Sequence, residues 1–114
     1  MENKIYTLRF RQTNKDVFTA IKIGKKKVET RAGSPRYFDI KEGDILVFVC
    51  GKNKFEKKVK KVRKFKSISA LHKIYKPVEI NPKTTTIAES EKMYHSFPGY
   101  KEKIKKYGLI ALEL

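Results

Sequence analysis

Apolar positions recur every second residue at the start of the chain and every third or fourth soon afterwards. This change of period marks the first elements. Ile5-Tyr6-Thr7-Leu8-Arg9-Phe10 alternates as a half-buried strand does. Thr13, Asn14 and Asp16 are helix-opening residues. Val17, Phe18 and Ile21 then fall at helical spacing, and Gly24 suits the stop. A second strand is expected over Lys27–Arg31. Ala32–Phe38 reads as a loop and Lys41–Asp44 as a turn, with Asp44 serving that turn. Ile45–Cys50 is β-branched and apolar, a buried strand that Gly51–Lys54 turns back into a hairpin. Phe55–Ile68 carries two signals. Phe55, Val59, Val62 and Phe65 step by three or four, as in a helix, but the hairpin context selects a strand with a bulge.

The second half is more broken. Ser67–His72 predicts one or two helical turns, and Tyr75–Thr86, with Pro77 and Pro82, a crossing loop. Ile87–Phe97 predicts a short helix with Ile87, Met93 and Phe97 among its buried residues, stopped by Pro98-Gly99. Tyr100–Tyr107 is a charged turn or short helix, and Leu109–Leu114 a closing strand. Tyr94, Phe97, Tyr100 and Tyr107 are expected to cover one end of a barrel. The order β-α-β-β-β-(α)-α-β predicts an α+β, mainly β, fold, a small mixed β-barrel flanked by short helices. The length suits one domain over residues 1–114.

The second strand gathers charge, in the spacing Gly24-x-Lys26-x-x-Glu29-x-Arg31. Alternation turns Lys27, Glu29 and Arg31 to one face and Val28 and Thr30 to the other, with Lys26 at the mouth of the preceding turn. Taken alone, that face is wet surface with weak ion pairs. Composition changes the picture. Lys and Arg number 28 against 12 Asp and Glu, a net charge of +16. Such an excess on so small a domain points to a polyanion, RNA or DNA before a membrane. Most of the excess is lysine, which also serves plain solubility. Lys54–Lys66 is the densest basic run, the solvated side of a strand and a credible nucleic-acid footprint.

Other chemistry is sparse. Cys50 stands alone in an apolar run, so no internal disulfide and no thiolate metal site is expected. His72 and His95 lack ligand spacing, and neither a metal nor a cofactor is implied. With no apolar leader and no run long enough to cross a bilayer, a monomer in the reducing cytoplasm is expected.

These residues resemble the ASCH family, within the PUA-like superfamily of RNA-associated domains. The resemblance rests on Gly24-x-Lys26-x-x-Glu29-x-Arg31 after the first helix and on Ile40-Lys41-Glu42-Gly43-Asp44-Ile45-Leu46-Val47-Phe48 entering the next strand. It is completed by Phe97-Pro98-Gly99-Tyr100 through Tyr107-Gly108-Leu109-Ile110-Ala111-Leu112, and so covers nearly the whole chain. It implies a β-barrel with a cleft lined by the charged motif, binding RNA or a modified nucleoside. Some members are similar to amidohydrolases that deacylate N4-acetylcytidine, and others are reported to cleave RNA or bind DNA.

Three functions follow. In a nucleic-acid or nucleotide-binding module, Gly24, Lys26, Glu29, Arg31, Arg36 and Tyr37 form the site. Lys26 and Arg31 contact phosphate, Glu29 accepts from an exocyclic amino group, and Tyr37 or Phe38 stacks a base. Arg36 and the lysines of 54–66 add sequence-independent attraction. In an amidohydrolase, Lys26 aligns with the family's catalytic lysine, its pKa lowered by Lys25 and Lys27. Glu29 then stands where that subgroup has a threonine nucleophile, Thr30 faces away, and Glu79 is the nearest counterpart of a further glutamate. In a ribonuclease, Lys26, Tyr37 and Ser34 would approach one another. The replaced hydroxyl favours binding over catalysis.

Overall fold

The computed structural model describes residues 3–114, so residues 1 and 2 of the expected domain lie outside the described residues. The order is β1 (Ile5–Phe10), α1 (Lys15–Lys22), β2 (Val28–Ala32), α2 (Pro35–Phe38), β3 (Ile45–Cys50), β4 (Asn53–Lys58) and β5 (Lys61–Phe65). There follow α3 (Ile68–Leu71), α4 (Pro77–Ile80), α5 (Ile87–Ser96), α6 (Tyr100–Tyr107) and β6 (Leu109–Glu113). The fold is α+β, with strands in two sheets and short helices around them.

One sheet has the order β1-β3-β4 and the other β2-β6-β5. β1 runs parallel to β3, Ile5 opposite Ile45, and the other pairings are antiparallel. β4 passes into β5 through Val59 and Lys60. Val59 N–H donates to the Asp44 carbonyl and Lys60 N–H to the Glu113 carbonyl, so one ribbon serves both sheets. In place of the single bulged strand expected over Phe55–Ile68, the chain breaks at 59–60 into two strands that belong to different sheets. The helical step of Phe55, Val59 and Val62 arises because the ribbon bends there and changes which face is inward.

β6 explains why there are two cores. It is the central strand of its sheet and is buried on both faces. Ile110 and Leu112 join Leu8, Phe18, Ile21, Leu46 and Phe48, whereas Leu109 and Ala111 join Val28, Ile68, Leu71, Tyr94 and Ile104. Strand alternation therefore feeds one cluster toward β1, β3 and α1 and the other toward α3–α6. In the first cluster Phe48 and Phe55 are stacked with ring centroids 5.0 Å apart.

The expected closed barrel does not form among the described residues. β1 and β2 are edge strands of separate sheets and do not pair with each other. Their facing ends carry Arg9, Glu29 and Arg31, and the space between them is a cavity rather than a ladder. Two expected loops each hold one helical turn. Pro35 and Pro77, within those loops, sit at the start of α2 and α4, where a missing N–H costs nothing. Ile87, expected in the core, is 47 % exposed. The first turn of α5 is held instead by its cap, with the Glu89 N–H donating to the Thr86 hydroxyl. No helix among the described residues is long and apolar enough to cross a membrane.

Candidate functional site

α1 ends at Lys22, and Gly24 takes φ +81°, a left-handed conformation that turns the chain toward β2. The Lys26 N–H then donates to the Ala20 carbonyl, 2.9 Å, tying the linker back onto the helix. That tie points the Lys26 side chain inward, whereas Lys25 and Lys27 remain exposed. Within β2, Val28 packs into the helical core and the Thr30 hydroxyl shares a hydrogen bond with the Tyr94 hydroxyl. Glu29 and Arg31 turn to the opposite face, as alternation requires.

That face is not the wet surface that the residue types suggest. Lys26 is 3 % exposed and Glu29 6 %. Lys26 Nζ lies 3.4 Å from Glu29 Oε1 and also donates to the Val28 carbonyl. Arg31 Nη2 lies 3.4 Å from Glu29 Oε2. The Thr30 N–H donates to Glu29 Oε1 at 2.9 Å. The Arg31 guanidinium is 5.0 Å from the Phe10 ring centroid and 5.8 Å from that of Tyr37, so two aromatics hold it in place. One carboxylate thus serves two cations.

Burial pushes Lys26 below the ordinary lysine value and Arg31 adds to this, while Glu29 opposes it. Neither Lys25 nor Lys27, expected as the cause, contributes. Burial alone would raise Glu29, but Lys26 and Arg31 outweigh it and hold the carboxyl below its usual range. Burial likewise pushes the hydroxyls of Tyr94 and Tyr100 up, so both stay protonated donors at neutral pH.

Lys26, Glu29 and Arg31 converge on a cavity of about 500 Å³ between the ends of β1 and β2, closed by α5 and the start of α6. That volume lies within the usual range of small-molecule sites. Arg9, Arg11 and Lys103 also line it, so five cationic side chains face a single carboxylate, Glu29. Tyr94, Phe97 and Tyr100 form an aromatic wall, Phe97 meeting Tyr100 edge-on at 5.3 Å.

Other expected members stand elsewhere. Gly24 is the helix stop and does not line the cavity, and nothing lies within 4 Å of where its Cβ would be. Arg36 is exposed outside the cavity, its guanidinium 5.5 Å from the Tyr37 ring centroid. Tyr37 supports Arg31 without lining the cavity itself. Ser34 begins α2, where its carbonyl accepts from the Tyr37 and Phe38 N–H groups, so Lys26, Tyr37 and Ser34 do not meet in the cavity. Glu79 caps α4 by accepting from the Lys76 N–H and is exposed. His72 is structural, its ring nitrogens bound to the Tyr75 carbonyl and the Ser90 hydroxyl. Asp44 accepts from the Lys4 and Lys41 N–H groups, as a turn residue does.

Sequence reading missed Arg9, Arg11 and Lys103, which lie far from the motif along the chain. The three-residue spacing of Tyr94, Phe97 and Tyr100 was a usable signal, since it put three aromatics together at a helix junction.

The chain is a small α+β domain with a cationic cavity between the edges of its two sheets. The chain belongs to the ASCH family, whose domain model matches residues 12–114. Among solved structures it is similar to hypothetical protein PH0355, with 33 % identity, a TM-score of 0.79, and coverage of 96 % of this chain and 95 % of that one. It is also similar to protein PF0455 from Pyrococcus furiosus, with 29 % identity, a TM-score of 0.72, and coverage of 96 % and 94 %. No curated protein matches the chain.

Proposed function

We propose that the cavity binds a nucleotide, free or as one unit of an RNA strand, with its phosphate among the cations. The observation that supports this reading most is the imbalance of charge: Arg9, Arg11, Lys26, Arg31 and Lys103 face Glu29 alone. A hollow so lined attracts an anion and holds it more strongly than open water would. Arg31, fixed between two rings, offers a planar fork to phosphate oxygens. Glu29 accepts from three donors and, with about four acceptor positions on a carboxylate, keeps one for a base amino group. Phe97 and Tyr100 offer faces to a base. The resemblance of the sequence motifs to PUA-like domains, which implies association with RNA, agrees with this reading.

Hydrolysis of an N4-acylated cytidine draws less support. Lys26 has a lowered pKa, but the hydroxyl of Thr30 on the strand that follows is engaged by Tyr94. The test is a titration with cytidine and cytidine 5′-monophosphate, followed by amide NMR shifts. Shifts over residues 26–31, with the monophosphate bound at least tenfold more tightly than cytidine, are expected. Arg31→Ala should lose most of that preference. An unperturbed spectrum with either compound and with single-stranded RNA ends the proposal. Release of cytidine from N4-acetylcytidine, abolished in Lys26→Ala, would replace it with the hydrolase.

A further inference from the structure

A second hollow, of about 450 Å³, lies between α2, the end of β5 and the end of α6. Phe38 and Tyr107 line it, together with Lys64, Lys66, Lys105 and Lys106, and no Asp or Glu does. Among the described residues, none of these four ammonium groups has a carboxylate within salt-bridge distance. Phe38 is 51 % exposed and Tyr107 39 %. Neither ring belongs to a core cluster, so the fold does not account for them. Lys64 Nζ lies 3.5 Å from the Phe38 ring centroid and Lys106 Nζ 5.1 Å from that of Tyr107. Each ring therefore has a cation over one face, and a base would stack on the other.

We propose that this hollow is a docking site for single-stranded nucleic acid, with bases stacked on Phe38 and Tyr107 and phosphates met by the four lysines. Aromatic rings interleaved with unpaired cations are what an unstacked strand requires, because each nucleotide brings one flat apolar face and one negative charge. A duplex keeps its bases stacked inside and offers only the charge. A lipid surface favours apolar groups that protrude, whereas these rings line a concavity. α2 joins the hollow to the cleft. Tyr37 leans on Arg31 of the cleft, Phe38 faces the hollow, and Arg36 is exposed beside them. A strand with one nucleotide in the cleft can continue over α2. To that extent the inference rests on the nucleotide reading of the cleft.

The test compares the wild type, Arg31→Ala and the double variant Phe38→Ala/Tyr107→Ala by fluorescence anisotropy. The probes are cytidine 5′-monophosphate, a single strand of roughly 12 nucleotides and the matching duplex, a length within the span one small domain covers. Both rings are exposed, so the double variant is expected to fold, and circular dichroism checks this. The single strand should bind about fivefold more weakly for each ring removed. Binding of the monophosphate should be unchanged. An oligonucleotide carrying 4-thiouridine, cross-linked to the wild type, should mark peptides containing Phe38 or Tyr107, which keeps the test decisive if the variant misfolds. Unchanged single-strand affinity with cross-links elsewhere overturns the inference and leaves the cleft intact. An equal loss for duplex and single strand also overturns it, since stacking is then not involved. Binding to phosphatidylserine vesicles that the double variant loses, with strand affinity kept, assigns the hollow to a lipid surface instead. If the monophosphate fails to bind and Arg31→Ala has no effect, while the double variant still loses the strand, the cleft reading falls and this one stands.

Discussion

Glu29 stands between two cations, Lys26 buried and Arg31 half-buried at the wall of the cavity. Lys26 and Arg31 each lie 3.4 Å from one of its oxygens, and the three groups together carry a net positive charge. Removing the anion should therefore hurt more than removing a cation. Glu29→Ala leaves these two positive charges facing each other, and a loss of about 3–5 kcal/mol is expected, as for other broken buried pairs. Lys26→Met leaves the matched Glu29–Arg31 pair and should cost clearly less. Urea midpoints of the two variants, at an unchanged slope, give the ranking directly. If Lys26→Met is the more damaging, the carboxylate is not the hub. The acid limb of stability follows from the same group. The folded-state pKa of Glu29 lies below its ordinary value of 4.5. Its contribution is thus fully present above that value and is lost as the pH falls through the folded value. Glu29→Gln should flatten this part of the stability–pH curve. Lys26 acts in the same sense at the alkaline end. Its folded value lies below 10.5, so the unfolded chain holds the proton more strongly, and stability gains as the pH rises between the two.

At the scale of elements, Gly108 shows how tightly α6 is joined to β6. It takes φ +72° and ψ −159°, a region that residues with a Cβ avoid. Its N–H donates to the Ile104 carbonyl at 2.7 Å, and its own carbonyl accepts from the Gly33 N–H at 2.9 Å. A Cβ there would strike the Phe65 carbonyl oxygen, which is backbone and cannot swing aside. Gly108→Ala is therefore expected to cost more than the backbone strain alone, which is about 1–3 kcal/mol. Gly24→Ala meets nothing and should cost only its strain. Thermal melts of the pair separate steric closure from backbone strain, and equal losses would refute the difference. Elements with one clear period were legible in the sequence. Phe18 and Ile21 announced α1, and the apolar run Ile45–Cys50 announced β3. Strand rather than helix was legible in the β4–β5 ribbon because its hairpin outweighs a false helical step, but its division between two sheets was not. The one-turn helices α2 and α4 escaped because each opens on a proline among turn residues, whereas α3, equally short but without proline, was legible. The split into two sheets escaped for another reason. Whether β1 and β2 pair depends on what fills the space between them, and that includes Arg11, Lys103 and Tyr100, which no local pattern connects to Glu29. The charged motif itself was visible. Its burial was not, since Lys26 is turned inward by its tie to Ala20 and Arg31 is held by Phe10 and Tyr37, contacts that no local pattern announces.

For the whole molecule, the excess positive charge sets two salt effects of opposite sign. The net charge is +16, and the domain measures 36 × 29 × 24 Å. At about 0.01 M salt the screening length is about 30 Å, so lysines on opposite sides of the molecule repel one another. At about 0.15 M it falls to roughly 8 Å, and only neighbours still interact. Self-repulsion opposes the folded state more than the expanded one, so the melting temperature should rise between those two conditions. Binding of single-stranded nucleic acid should do the reverse, because each phosphate neutralised releases a counterion and added salt reverses that gain. The logarithm of affinity should fall along a straight line against the logarithm of salt concentration, with a slope of about −0.7 for each phosphate contacted. Arg31→Ala and the double variant at Phe38 and Tyr107 should part company on this plot. The first removes a charge that meets phosphate and makes the slope shallower. The second removes stacking alone and lowers the line without changing its tilt. Slopes that are equal in all three proteins would mean that the ligand is gathered by the diffuse lysine field, with Arg31 playing no direct part in holding phosphate.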